Sequence, residues 1–167
     1  MRALVIMVVL ILTLTLSGCA FFTADITGAE AARTEAEELE ATIARAQASL
    51  GAFTDSLAAP LESQLYFAVL ARFALPDEAG HEDLWVENVS YDGEAFTGTL
   101  ASAPTLWDGA ALGETVTTPA ADVLDWMIVE ETRIVGAYTV RLQRERMTLR
   151  ERIDFSRQLG LPIVDPE

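Results

Sequence analysis

The chain has 167 residues, 51% of them hydrophobic, and a formal net charge of -15 from 26 acidic and 11 basic side chains. That length accommodates one ordinary domain beside a targeting segment. So large an excess of carboxylates repels phosphate backbones and argues against nucleic acid as a partner.

Met1 and Arg2 precede an apolar run from Ala3 to Leu16, and the small residues Ser17 and Gly18 follow, directly before Cys19. A short positive leader, a hydrophobic core and a small-residue site are the order a secretory signal requires. Leu16-Ser17-Gly18-Cys19 resembles the lipobox of bacterial lipoproteins. That resemblance implies cleavage after residue 18, diacylglycerol on the Cys19 thiol, and a protein held on a membrane of the cell envelope, facing the periplasm. Ala20 is similar to the residues that permit transfer to the outer rather than the inner membrane. The alternative is an uncleaved helix from Ala3 to Phe22, which at a rise of about 1.5 Å per residue just covers a hydrocarbon core of about 30 Å. Against it, Gly18 and Cys19 interrupt the run where a cleavage site belongs, and no basic cluster follows Phe22. Cys19 is the only cysteine, so with lipid on it the remaining chain forms no disulfide.

Residues 19–42 are read as a tether and the start of a polar helix, 43–159 as an α+β domain and 160–167 as a tail. Ala32, Ala36, Leu39, Ile43, Ala46, Leu50, Phe53 and Leu57 recur at spacings of three and four, which predicts one amphipathic helix over Ala29–Ala59, ended by Pro60. A coiled-coil seam has the same spacing. Alanine at half the seam favours packing on a sheet, for the part after Thr42.

From Gln64 the pattern becomes that of strands. Gln64–Phe73 is aromatic and β-branched, and Leu84–Tyr91 and Glu94–Ala101 flank Asp92-Gly93, a hairpin signal. A two-residue turn there pairs Trp85 with Leu100 and Val89 with Phe96, and gathers Trp85, Val89, Tyr91, Phe96 and Leu100 on one core face. Thr118-Pro119 predicts a short helix over Pro119–Asp125. A second hairpin is expected over Trp126–Leu142, turning near Glu131 and Thr132. Thr148 then caps a final helix to Leu159, before Gly160. The fold expected is a small antiparallel sheet of hairpins packed against an N-terminal amphipathic helix and a C-terminal helix.

The segment Gly113–Arg152 resembles the YegJ-like family, domain of unknown function 2314. The likeness lies in Gly113-Glu114-x-Val116, in Asp122-x-x-Asp125-Trp126-Met127 and in Gly136-x-Tyr138-Thr139-x-Arg141, the last read as a strand. It extends over about residues 43–158. Leu70, Glu82-Asp83 and Ser102 stand where the family pattern has lysine, Glu-His and asparagine, so any polar site in relatives is largely missing here. The resemblance implies a fold and no activity.

Covalent catalysis needs an activated nucleophile beside a base. Cys19 is assigned to lipid, lysine is absent, and His81, the single histidine, falls in the turn-rich stretch Asp77–Asp83. Asp77, Glu78, Glu82 and Asp83 lack the spacing of an EF-hand loop, and no metal or cofactor is expected. Asp122 and Asp125, three apart on the expected helix, form the one candidate acid pair for a hydrolase; the other reading is a helix-start charge. Trp107, in a loop between Pro104 and Gly113, is a candidate partner anchor. Arg141, Arg144, Arg146, Arg150, Arg152 and Arg157 make the C-terminal segment locally basic. They either pair with Glu35–Glu40 and their own neighbours or form a patch for an acidic envelope partner or anionic lipid. The function expected is a membrane-anchored, non-catalytic binding or accessory module.

Overall fold

The computed structural model describes residues 26–76 and 80–166. Cys19, with the apolar run that precedes it, and the carboxylates Asp77 and Glu78 lie outside the described residues. Helix α1 is Ile26–Ala48 and α2 is Leu50–Ala58. The strands are β1 (Gln64–Ala74), β2 (His81–Tyr91), β3 (Ala95–Leu100), β4 (Thr115–Pro119), β5 (Val123–Glu130), β6 (Ile134–Gly136) and β7 (Ile163–Val164). Helices α3 (Tyr138–Arg146) and α4 (Leu149–Leu159) lie between β6 and β7. The sheet order is β4-β3-β2-β1-β5-β6-β7, antiparallel throughout except for β6 and β7. This is the α+β class that a run of strand patterns set between helical ones predicts.

Only the 3-10 turn Ala120–Asp122 joins β4 to β5, although β3, β2 and β1 lie between them in the sheet. So short a link forces the sheet to coil until β4 approaches β1. The concave side is then a closed core: Val69, Phe73, Val86, Phe96, Leu100, Val123 and Trp126 line it. Phe53 of α2 fills its centre, fully buried, with ring centroids 5.4 Å from Trp126 and 5.9 Å from Phe67 and Phe96. On the convex side α3 and α4 cover a second cluster of Tyr66, Trp85, Met127, Val140, Phe155 and Leu159.

Burial along α1 begins at Thr42 and Ala46, whereas Glu30–Glu38 is exposed. The long helix expected from the stripe is divided at Ser49. The Trp126 indole N–H donates to the Ala46 carbonyl at 3.0 Å and to Ser49 Oγ at 3.2 Å, and Ser49 Oγ also bonds Tyr138 Oη at 2.9 Å. The break is thus where the helix meets two polar tips of the core.

The Asp92-Gly93 signal does mark the β2–β3 hairpin, but with a different register. Tyr91 pairs with Phe96 and Val86 with Leu100, and the Asp92 carboxylate accepts from the N–H groups of Glu94 and Ala95 at 2.9 and 2.8 Å. The turn is therefore longer than two residues. A bulge in β2, with Asn88 at φ 54, brings Val86 and Val89 to the concave side, and Trp85 turns to the convex cluster. The expectation of Trp85 and Val89 on one face is corrected by that inserted residue.

Two further expectations change. Pro119 ends β4 and only Ala120–Asp122 is helical, as a single 3-10 turn, so Val123–Asp125 is strand rather than helix. The second hairpin does turn at 131–133, but its return strand stops at Gly136, and Tyr138–Arg141 begins a helix. Thr148 caps α4 as expected: its Oγ1 accepts from the Glu151 N–H at 3.4 Å while Glu151 Oε2 accepts from the Thr148 N–H at 2.7 Å, and Gly160 closes the helix at φ 71.

Candidate functional site

Asp125 is fully buried on β5, whereas Asp122 is exposed on the 3-10 turn, beside an open groove lined by Glu40, Ile43, Gln47 and Arg72. The candidate acid pair is not assembled, because residues 122 and 125 do not share a helix. Asp125 instead closes a structural knot. Its Oδ1 accepts from the N–H groups of Trp126 at 2.8 Å and Tyr138 at 3.1 Å, and its Oδ2 from the N–H and Oγ1 of Thr139 at 2.7 and 2.6 Å. Burial pushes this carboxyl above its ordinary range, against four donors that favour the charged form. Helix α3 has Ala137 at its cap position, at φ 49 and with no capping side chain, so a carboxylate from a different strand serves its first turn. Gly136 completes the arrangement. At φ 82, an added Cβ would stand 2.5 Å from the Trp126 carbonyl oxygen and 2.7 Å from its ring. Asp125, Trp126, Gly136, Tyr138 and Thr139, which carry the family likeness, thus form one unit that joins β5, β6 and α3.

Glu82 is a second buried carboxylate, missed as a structural group because its sequence neighbourhood is turn-like. It lies on β2 opposite Phe73 of β1 and is only 8% exposed. Its Oε1 accepts from Thr105 N and Oγ1 at 2.7 and 2.8 Å, and its Oε2 from Leu106 N and Trp107 N at 3.1 and 3.0 Å. Three successive backbone N–H groups make a nest for an anion, and the chain fills it with its own side chain. Burial raises the Glu82 pKa, and the donors from Thr105, Leu106 and Trp107 outweigh it, so the net shift is downward. A folded pKa below the ordinary 4.5 gives stability that is present above that value and lost as pH falls through the folded one. Glu82→Gln should cost about 2 to 3 kcal/mol at neutral pH, because an amide offers one acceptor atom to these donors and turns its own N–H groups against them. Urea unfolding across pH checks this. The gap between wild type and variant should close in acid, and a gap unchanged from pH 7 to pH 3 would dismiss the account.

With Glu82 so engaged, and Asp83 gripped by Arg72 through Nε and Nη2 at 2.8 and 2.9 Å, neither residue belongs to a calcium loop. Among the described residues no group of three His, Cys, Asp or Glu side chains is arranged to hold a metal ion. His81 is exposed as the first residue of β2, not part of the preceding turn. Trp107 is half-buried and stacks on Phe73 at 5.4 Å, so it anchors its own loop rather than standing free. Leu106 and Leu112 are that loop's exposed apolar residues.

The arginines divide. Arg141 pairs with Asp165 at 2.7 Å and lies 5.1 Å from the Tyr138 ring centroid. Arg146 donates to Glu38 Oε2 at 3.0 Å and to the Glu35 carbonyl at 2.9 Å, and Arg157 pairs with Asp154 at 3.2 Å. Pairing with the Glu35–Glu40 stretch and with neighbours thus accounts for Arg146 and Arg157. Arg144, Arg150 and Arg152 are exposed and make no ion pair among the described residues.

No solved structure matches this chain. A protein of Neisseria meningitidis serogroup B named for ankyrin repeats is 31% identical to it over 85 residues, which are 51% of this chain and 34% of that protein. The chain therefore spans about a third of the length of the curated relative it matches. Residues 36–163, from the exposed first half of α1 to β7 and including the Asp125 knot and the Glu82 nest, match one family over most of the chain, and the protein belongs to it: the bacterial family described as "Uncharacterized protein conserved in bacteria (DUF2314)".

Proposed function

We propose that the protein is a YegJ-like, non-catalytic binding or accessory module of the bacterial envelope, tethered to a membrane by lipid on Cys19. The observation that carries the non-catalytic reading is the engagement of both buried carboxylates. Asp125, from the candidate acid pair, and Glu82 are the buried carboxylates among the described residues, and their hydrogen bonds are to donors of the fold itself. Groups held in this way have no lone pair directed at a substrate. A like segment that forms one part of a longer protein named for ankyrin repeats suits a module working beside binding surfaces. The lipid anchor rests on the apolar run before Leu16-Ser17-Gly18-Cys19, and two or more acyl chains hold a protein at a bilayer where one does so only marginally. Cells fed a labelled fatty acid should mark the wild type, while Cys19→Ala should accumulate as an unlabelled precursor of greater mass. Equal labelling of the two forms would remove the anchor from the reading. Envelope partners recovered with the lipidated protein, and no turnover of ester, phosphoester or glycoside substrates, are the further expected results.

A further inference from the structure

Helix α4 presents an unusual outer face for an acidic protein. Phe155 and Leu159 turn inward to the convex cluster, but Leu149 and Ile153, one turn apart, are 69% and 49% exposed. At about 3.6 residues per turn, Arg150 and Arg157 flank that pair on one side and Arg152 on the other. Arg150 and Arg152 have no carboxylate partner among the described residues, and Arg144 at the end of α3 adds a third unpaired guanidinium. Of the two acids of α4, Glu151 is turned to the capping box with Thr148 and Asp154 pairs with Arg157. Two exposed aliphatic side chains bordered by arginines, with both acids of α4 engaged, match the interface between headgroups and acyl chains.

The position of the patch identifies its occupant. Arg146, two residues before the Thr148 cap of α4, bonds Glu35 and Glu38, so the corner between α3 and α4 rests against the middle of α1. Glu35 is nine residues from Ile26, or about 13 Å along the helix. The apolar segment of the sequence ends a few residues before Ile26, and Cys19 to Ile26 spans at most about 25 Å. A lipid on Cys19 would therefore be within about 40 Å, measured along the chain, of the corner from which α4 starts.

We infer that α4 docks on an anionic phospholipid bilayer, with Leu149 and Ile153 entering the interface and Arg144, Arg150 and Arg152 engaging lipid phosphates. This rests on the anchored reading proposed above and deepens it: the domain lies on its membrane in a fixed orientation instead of swinging on a tether. Each arginine at such a surface contributes about fivefold in affinity, and the contact weakens as salt rises.

The test uses the full chain purified from bacterial membranes, with an environment-sensitive fluorescent amino acid at Ser156, beside the proposed face, or at Thr117 on β4 as a control. It is reconstituted on vesicles of phosphatidylcholine alone or with phosphatidylglycerol. Flotation reports the anchor, and iodide quenching of the probe reports the helix. The expected result is flotation on both vesicles, with the Ser156 probe shielded on phosphatidylglycerol only and exposed again in the Arg150→Glu/Arg152→Glu variant or at high salt. Flotation on both with equal quenching would overturn the docking of α4 and leave the anchor standing. Flotation and shielding confined to phosphatidylglycerol would overturn the anchor and support the docking. Absence of flotation from both would overturn the two together. Shielding by a lipid-stripped envelope extract, with none on vesicles, would assign the patch to an acidic protein and overturn the lipid assignment.

Discussion

Asp125→Ala should destabilise the protein by about 3 to 5 kcal/mol, because the N–H groups of Trp126, Tyr138 and Thr139 and the Thr139 hydroxyl lose their acceptor in a site from which water is excluded. The loss falls chiefly on α3, whose own cap position supplies no acceptor. Hydrogen exchange should therefore speed up at Tyr138 and Thr139 before it does in the β1–β2 pair. Urea unfolding gives the magnitude. A change below about 1 kcal/mol would mean that the first turn of α3 finds other partners and that the carboxylate is not its cap.

Phe53→Ala is the second large effect, at about 3 to 5 kcal/mol, the range for an aromatic side chain removed from a packed core. Phe53 is the side chain through which α2 enters the concave side of the sheet, and its ring touches residues of β1, β3 and β5 at once. Truncation removes its apolar burial and leaves a void that Phe67, Phe96 and Trp126 cannot all close on, since each is fixed by its own strand. A loss under about 1 kcal/mol in two-state unfolding would show that α2 does not hold the core.

Local patterns were readable where local chemistry decides them. Thr148-x-x-Glu151 and Gly160 carry both ends of α4 within its own sequence, and the stripe through Ala46 and Phe53 marks the buried side of the N-terminal helices. What was not readable depended on residues far apart in the chain. Tyr138-Thr139-Val140 has strand-forming composition, yet it starts a helix because Asp125, thirteen residues earlier, accepts its first N–H groups. Asn88 at positive φ is a single-residue event that no periodicity shows, and it alone moves Trp85 from one core to the other. Glu82 looked like part of an acidic loop, since the nest it fills is formed by residues 105–107. The candidate site dissolved for the same reason: the two aspartates were placed together by an expected helix that β5 replaces.

The three-residue link from β4 to β5 also sets the order in which the chain can fold. Strands β2, β3 and β4 are neighbours in sequence and can assemble as a meander, but β5 must cross to pair with β1, joining Gln64 to Glu130 and Phe67 to Ile128. That contact closes a long loop, and loop-closure entropy must be met before pairing rewards it. Because Ala120–Asp122 can bridge the distance only after the meander has coiled, β1 waits with one edge unpaired until the rest of the sheet has formed. The interval between synthesis and closure is when an apolar strand edge is open to other chains.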